Sequence, residues 1–253
     1  MRNVYRLAAV TLTVAVVSPG VAFAGSGRDV LPNLVEVPPT DIHVARTTDG
    51  WVLRFTSTAG NSGPGPLVVV ATRANDRAAF DIVQRISLAG GGYRTLPVAA
   101  SLRFAAVRGH DHFHLAGFER YELRDSTGRV LLRDAKIGYC LGDRAKLGTP
   151  AGPPAFDGNC GFDQPHLLAL REGITPGWSD PYLSPLPGQS FPLNGLAAGT
   201  YTLVNRVNDR HLYLESSYAD DVAAAKILLT WPHGATASPT VRVLATCLAE
   251  RCP

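Results

Sequence analysis

The segment that decides the fold runs Asp49-Gly50-Trp51-Val52-Leu53-Arg54-Phe55-Thr56. An Asp-Gly pair is a strong signal for the tight turn of a β-hairpin. After this pair, large apolar side chains alternate with smaller or polar ones, which is the two-residue period of a strand with one buried face. The segment therefore predicts a hairpin whose second strand enters a hydrophobic core.

Further strands are predicted at short intervals along the chain, which contains 25 Gly and 19 Pro. The candidates are 67–70, 102–114, 118–123, 130–141, 199–207 and 224–230, with a tight turn at 125–128. Helical periodicity is limited to a turn or two near 75–85. Many short strands with turn signals between them predict an all-β fold, a β-sandwich. The Pro- and Gly-rich stretch 142–196 is predicted to be a long irregular loop region that covers the functional site.

The chain begins with a basic stretch, Met1 to Arg6, followed by an apolar run from Leu7 to Val17 and then Ala22-Phe23-Ala24. This is the pattern of a cleaved secretory signal peptide, and the apolar run is too short for a span of about 20 residues. We expect residues 1–24 to be a signal peptide, residues 25–253 to form a single domain, and the protein to be secreted. An uncleaved interfacial anchor is the alternative.

The formal net charge is +3, and the basic residues are scattered among acidic ones. This distribution argues against a nucleic-acid-binding surface, and no second apolar run is long enough to span a membrane. The four cysteines are Cys140, Cys160, Cys247 and Cys252. An even number in an exported chain favours disulfides, and four cysteines allow three connectivities. We prefer the pairing with the shortest loops, Cys140–Cys160 and Cys247–Cys252; a zinc knuckle is disfavoured because the chain contains no Cys-x-x-Cys.

Three of the seven histidines fall within five residues, in His110-Asp111-His112-Phe113-His114. On a strand these histidines share one face, opposite Asp111 and Phe113. Three imidazoles can bind one ion and leave positions open for water or substrate. The spacing alone does not choose between zinc and copper, although the general order of affinities favours copper. The alternative is a solvent-facing strand that happens to be rich in histidine.

Several motifs in order along the chain resemble those of the lysyl oxidase family. The histidine run is followed by Phe118-Glu-Arg-Tyr-Glu-Leu123, Lys136-Ile-Gly-Tyr-Cys-Leu-Gly-Asp143, Gly173-Ile-Thr-Pro-Gly-Trp-Ser-Asp-Pro-Tyr182, Leu186-Pro-Gly-Gln189, Gly199-Thr-Tyr-Thr-Leu203 and Glu215-Ser-Ser-Tyr-Ala-Asp-Asp221. The usage of Ala, Gly, Pro and Arg suggests a bacterial, secreted member.

The resemblance implies a role for particular residues. His110, His112 and His114 match copper ligands. Lys136 and Tyr182 match the two residues that are cross-linked into lysine tyrosylquinone, the family's self-derived cofactor, and Asp180 matches a candidate catalytic base. The resemblance also implies a disulfide between Cys140 and Cys160. Tyr121 and Tyr139, although they lie inside motifs, are interpreted as core aromatics.

A calcium site found in some members of the family has a partial counterpart here. Its residues would be Asn33, Leu34, Glu215, Ser217, Asp220 and Asp221. Asn33 and Ser217 stand where the family has acidic ligands, and Asp220 and Asp221 replace two Asn. Oxygen ligands remain, as calcium prefers.

The resemblance implies copper-dependent oxidative deamination of primary amines, including peptidyl-lysine, by molecular oxygen, with release of aldehyde, ammonia and hydrogen peroxide. A first alternative is a non-catalytic copper-binding protein with the same fold. A second is a zinc hydrolase that uses a metal-bound hydroxide. This last function leaves Lys136 and Tyr182 without a role.

Overall fold

The computed structural model describes residues 27–106, 111–134, 138–234 and 237–253. All regular structure within these ranges is β-strand, so the all-β prediction is confirmed. The predicted signal peptide, His110 and Lys136 lie outside the described residues. In the described part of the chain, no helix has the length and apolar character needed to cross a membrane.

The strands and their bounds are β1 Asp29–Val30, β2 Leu34–Thr47, β3 Gly50–Asn61, β4 Leu67–Thr72, β5 Asp81–Leu88, β6 Tyr93–Pro97, β7 Leu102–Ala105, β8 His112–Leu115, β9 Glu119–Asp125, β10 Val130–Arg133, β11 Ala145–Lys146, β12 Ala169–Ile174, β13 Trp178–Tyr182, β14 Ser190–Pro192, β15 Gly199–Val207, β16 Val222–Thr230 and β17 Thr240–Cys247.

These strands form three antiparallel sheets and a two-stranded ribbon. The first sheet has the order β1-β5-β4-β12 with β6 on β5, the second β10-β9-β15-β16-β17, and the third β11-β13-β3-β14 with β2 on β3. The ribbon consists of β7 and β8. Strand β2 lies against β15, β16 and β17, so the third sheet packs on the second, as in a β-sandwich.

The hairpin predicted at Asp49-Gly50 joins β2 to β3, with Thr47 opposite Gly50. Gly50 has a φ of +126°, a backbone conformation that residues with a Cβ rarely adopt. Beyond the turn, Leu53 and Phe55 are fully buried. The Phe55 ring packs edge-on against Tyr121, with ring centroids 5.1 Å apart. The alternating apolar residues predicted from the sequence therefore form the buried face of β3.

The region 102–114, predicted as one strand, is instead two strands. Residue Leu102 pairs with Leu115 and Ala105 with His112, so the chain reverses between β7 and β8. Pairing the two halves with each other allows apolar side chains of both strands to enter the core, which a single strand with this pattern could not do. The chain between Ala106 and Asp111 lies outside the described residues.

The stretch 142–196 is not one long loop, because it contains β11, β12, β13 and β14. Strand β12 pairs with β4, and both β13 and β14 pair with β3. Pairing with long neighbouring strands imposes extended structure on segments whose own composition favours turns. Near 75–85, a single turn at Asn75–Ala78 is followed by strand β5 rather than by more helical structure.

Candidate active site

Strand β8 presents His112 and His114 on the side opposite the core. The intervening Phe113 and the following Leu115 are buried. The Phe113 ring lies edge-on to those of Phe80 and Phe104, at centroid distances of 5.4 Å and 5.1 Å. This aromatic packing holds the core-facing side of β8 in place, and it confirms that Phe113 lies on the face opposite the two histidines.

The two imidazoles converge. Their Nε2 atoms are 2.9 Å apart, and the rings meet edge-on with centroids 4.6 Å apart. Both side chains are half-buried. In the described part of the chain no group of three or more His, Cys, Asp or Glu side chains is arranged to hold a metal. The third predicted ligand, His110, falls outside that part, so the three-histidine site remains a prediction.

The segment that follows Lys136 lies directly against β8. The amide of Tyr139 donates to the carbonyl of Leu115 at 2.9 Å, and the amide of Leu115 donates to the carbonyl of Tyr139 at 2.7 Å. A Cβ added to Gly138 would come within 2.7 Å of the His114 Cβ. The chain therefore passes within contact distance of a predicted metal ligand two residues after Lys136.

Tyr182 ends β13 opposite Ser57 of β3 and is buried, with 7% of its surface exposed. Its hydroxyl accepts a hydrogen bond from the Cys140 amide at 2.7 Å and donates one to the Cys140 carbonyl at 2.8 Å. Its ring meets that of Tyr139 edge-on at 4.9 Å. Tyr182 therefore contacts the chain at Cys140, four residues after Lys136; the pairing of Tyr182 with Lys136 stays a prediction.

The next two amides of the same segment hold two buried carboxyl groups. The amide of Leu141 donates to Glu172 at 2.9 Å, and that of Gly142 donates to Asp180 at 3.1 Å. Three successive amides, those of Cys140, Leu141 and Gly142, therefore donate to Tyr182, Glu172 and Asp180 respectively.

Asp180 is completely buried and lies within β13 rather than in a turn. Burial raises the pKa of Asp180 to about 6, against the opposing effect of Arg144. Arg144 forms a salt bridge with this carboxylate. At neutral pH Asp180 is therefore mostly ionised, with a proton affinity suited to accepting a proton.

Glu172 was not identified from the sequence. Its carboxyl is buried, and burial raises its pKa to about 8. One carboxyl oxygen lies 3.4 Å from the Cys160 sulfur. The only signal in the sequence was its position directly before the Gly173–Tyr182 motif, which is too little to distinguish it from an exposed strand residue.

Both predicted disulfides are present, Cys140–Cys160 and Cys247–Cys252. The carbonyl of Cys160 accepts the amide of Phe113 at 2.9 Å. Because Cys140 also binds the Tyr182 hydroxyl, the first disulfide connects the histidine strand with the tyrosine through two short backbone contacts.

Tyr139 and Tyr121 are fully buried, which confirms their interpretation as core aromatics. The Tyr121 hydroxyl donates to Glu119 at 2.5 Å and hydrogen-bonds Ser57 at 2.6 Å. Burial raises the pKa of Tyr139 and Tyr121 well above the ordinary value, and so does the nearby Glu119 carboxylate. Behind Tyr182 the core therefore contains a polar network.

Most of the predicted calcium ligands lie close together at the start of β2. The side-chain amide of Asn33 donates to Asp220 at 2.7 Å, and the backbone amide of Leu34 donates to Glu215 at 2.6 Å. Burial raises the pKa of Glu215 to about 8 and that of Asp221 to about 7. The hydroxyl of Ser217 accepts a hydrogen bond from the amide of Ala219, two residues later in the same loop. Calcium binding remains a prediction.

No protein-family model matches the chain. The chain is similar to the protein-lysine 6-oxidase of Rattus norvegicus, with 28% identity over 139 residues that cover 51% of this chain and 30% of that protein. The corresponding protein of Sus scrofa is also 28% identical over 139 residues, with 51% of this chain and 50% of that protein covered. The match to lysyl oxidase homolog 1 of Homo sapiens has 26% identity over 126 residues, or 48% of this chain and 20% of that protein. The chain thus spans at most about half the length of these relatives and shares partial similarity with lysyl oxidases.

Proposed function

We propose that the protein is a copper-dependent amine oxidase of the lysyl oxidase family. It would convert a primary amine, oxygen and water into an aldehyde, ammonia and hydrogen peroxide. The observation that carries the proposal is the position of Tyr182. Its hydroxyl binds Cys140, and the preceding residue, Tyr139, pairs with Leu115 beside His114. Parts of three separate sequence motifs therefore meet at one place.

The two described imidazoles are suited to copper. Imidazole nitrogens are ligands that copper accepts, and the Nε2 atoms of His112 and His114 lie 2.9 Å apart, so both could face one ion. His112 and His114, together with His110, would hold the ion.

Lys136 and Tyr182 would together form lysine tyrosylquinone, which supplies the electrophilic carbonyl that no ordinary side chain offers. The phenol of Tyr182 is held by two hydrogen bonds with the backbone of Cys140, one accepted from its amide and one donated to its carbonyl. Such fixed orientation restricts the ring positions that a neighbouring amine can reach.

Asp180 would accept the proton removed from the carbon next to the substrate nitrogen. Its pKa of about 6 leaves it ionised at neutral pH and basic enough to take a proton. Burial among Arg144, Gly142 and Tyr182 excludes water from the carboxylate, which strengthens its electrostatic interactions.

The proposal includes secretion, with residues 1–24 as a cleaved signal peptide and residues 25–253 as a single catalytic domain of bacterial source. Peptidyl-lysine is a candidate substrate because the similar proteins of rat and pig are named protein-lysine 6-oxidases. Small primary amines are equally compatible with the chemistry of the site.

The test is to load the protein with copper in air and map its peptides by mass spectrometry. We expect a linked peptide that contains Lys136 and Tyr182, a coloured adduct with phenylhydrazine, and peroxide on addition of a diamine. Tyr182→Phe should abolish all three results. Tyr201→Phe is the matched control, because Tyr201 is as buried as Tyr182 and its hydroxyl donates to the carbonyl of Ala197, four residues earlier, and not to Cys140.

Unlinked Lys136 and Tyr182 peptides in a protein that retains copper would contradict the proposal. That result would favour a non-catalytic copper-binding protein with this fold. Full occupancy by zinc together with hydrolytic activity would favour the zinc enzyme instead.

A further inference from the structure

Arg144 follows the last residue of the Lys136–Asp143 motif. Its guanidinium makes several directed contacts at the candidate site. One terminal nitrogen, Nη1, donates to the carbonyl of Cys140 at 2.9 Å and forms the salt bridge with Asp180. The other, Nη2, donates to the carbonyl of Gly158 at 3.0 Å.

Two glycines shape the space that Arg144 occupies. A Cβ at Gly158 would lie 2.5 Å from Nη2 of Arg144, and Gly158 has a φ of +65°. A Cβ at Gly142 would lie 2.5 Å from the Cα of Gly158 and 3.4 Å from Nη1 of Arg144. The backbone therefore approaches the guanidinium as closely as glycine allows, while 35% of the Arg144 side chain remains exposed.

The charges around Asp180 explain why this site needs a cation. The groups that face Asp180 are Arg144, Tyr182 and the second buried carboxyl, Glu172. Burial alone would favour the protonated acid. The positive charge of Arg144 and its hydrogen bond lower the pKa of Asp180 against that effect.

We propose that Arg144 is a positioning residue that keeps Asp180 an oriented carboxylate and fixes the Cys140 carbonyl to which the Tyr182 hydroxyl donates. The assignment of chemistry to Asp180 and Tyr182 rests on the proposed function, whereas the effect of Arg144 on Asp180 does not. A guanidinium presents several donors in a rigid fork, which an ammonium cannot reproduce. Arg144 therefore connects the candidate base and the phenol through one planar group.

The first experiment measures the titration of Asp180 by carbon NMR in the metal-free protein, with the resonance assigned by Asp180→Asn. We expect Arg144→Gln to raise the pKa of Asp180, with at least a tenfold gain in its proton affinity. Arg144→Lys retains the charge and should restore most of the wild-type titration. The matched control is Arg171→Gln, because the Arg171 guanidinium lies over the Phe156 ring at 4.5 Å, away from Asp180.

The second experiment uses the copper-loaded protein and measures the fraction of Lys136–Tyr182 cross-link per bound copper. Arg144→Lys should bind copper normally and form at least threefold less cross-link, since a single ammonium cannot contact Asp180, Cys140 and Gly158 together. Arg171→Gln should match the wild type in both quantities.

A wild-type titration of Asp180 in Arg144→Gln would overturn the proposal. If that variant fails to fold, Arg144→Lys decides alone, and a wild-type yield of cross-link in it would also overturn the proposal. Absence of cross-link in the wild type would refute the proposed function, while the titration would still test the effect of Arg144 on Asp180.

Discussion

The hydroxyl of Tyr182 and the backbone of Cys140 are joined by two hydrogen bonds, one from the Cys140 amide at 2.7 Å and one to its carbonyl at 2.8 Å. Both groups are buried. The Cys140 carbonyl also accepts a hydrogen bond from Arg144, so it is the buried amide of Cys140 that depends on Tyr182 for its partner, in addition to any part Tyr182 takes in chemistry.

The Tyr182→Phe change should consequently reduce stability as well as abolish amine oxidation. Leaving a buried donor or acceptor unsatisfied costs about 1–3 kcal/mol. Urea denaturation would measure the loss. The control Tyr201→Phe removes only one hydrogen bond, to Ala197, so it should cost less. Equal stability of Tyr182→Phe and the wild type would contradict the two hydrogen bonds.

Gly138→Ala should weaken copper binding without unfolding the protein. The new Cβ would meet the His114 Cβ at 2.7 Å and the Leu115 carbonyl oxygen at 3.0 Å, and so would displace β8. Changes around metal ligands typically reduce affinity about 10–100-fold. Competition with a chelator would measure the affinity. The control is Gly152→Ala, because nothing lies within 4 Å of a Cβ at Gly152; similar affinities in both variants would refute the prediction.

The pH dependence of stability should contain a contribution from Glu172. Its pKa is raised from 4.5 to about 8 in the folded protein because the carboxyl is buried. The folded state therefore binds one proton more than the unfolded chain between these values. This stabilisation is fully present below the unfolded pKa and is lost as the pH rises to about 8, at up to about 1.4 kcal/mol per pH unit.

Glu172→Gln keeps the shape of the neutral acid and removes this dependence. The difference in unfolding free energy between variant and wild type, measured from pH 5 to pH 8, should move in favour of the variant as the pH rises. A difference that stays constant with pH would show that Glu172 does not titrate in this way.

Removal of the Cys140–Cys160 disulfide by two Ser substitutions should affect both stability and the candidate site. A cross-link over 20 residues is worth about 3 kcal/mol, and this one lies between β8 and the Tyr182 contact. The matched control is the double Ser variant of Cys247 and Cys252, which are separated by 5 residues. Copper content and cross-link yield should fall in the first variant only.

Calcium should raise the melting temperature if Glu215, Asp220 and Asp221 bind it with Asn33. A ligand at about 100 times its Kd stabilises the folded state by about 2.7 kcal/mol. Glu215→Gln should abolish the shift, whereas Asp209→Asn, which removes an acidic residue paired with Arg120 and Arg206, should retain it. No shift in the wild type after treatment with a chelator would refute the calcium site.

The local patterns of the sequence predicted much of the fold. The alternation around Leu53 and Phe55 is present in the structure, and so is the hairpin, although its two turn residues are Thr48 and Asp49 and Gly50 begins the strand. The reversal between β7 and β8 was not predicted, because both parts alternate with the same two-residue period; only the change from an even buried position, Leu102, to odd ones, Phe113 and Leu115, marks the break. The strands within 142–196 were missed because they depend on pairing with β3 and β4, whereas their own composition resembles that of loops.

The roles of Tyr182 and Asp180 come from the motif resemblance and stay predictions. The resemblance gave no role to Arg144 or Glu172. Each of these is a single charged residue whose contacts are made with backbone groups or with residues distant in the chain. No short-range sequence pattern predicts such contacts, so they can be identified only from the folded structure.

Under the proposed function, the Cys140–Cys160 disulfide bears on the order in which the site is assembled. The carbonyl of Cys160 accepts a hydrogen bond from the amide of Phe113, which lies between the two histidines. The amide of Cys140 donates a hydrogen bond to the phenol of Tyr182. A reduced chain would lack the covalent connection between these places. We therefore expect thiol oxidation to precede productive metal loading, so that copper supplied in a reducing compartment would meet an incomplete site.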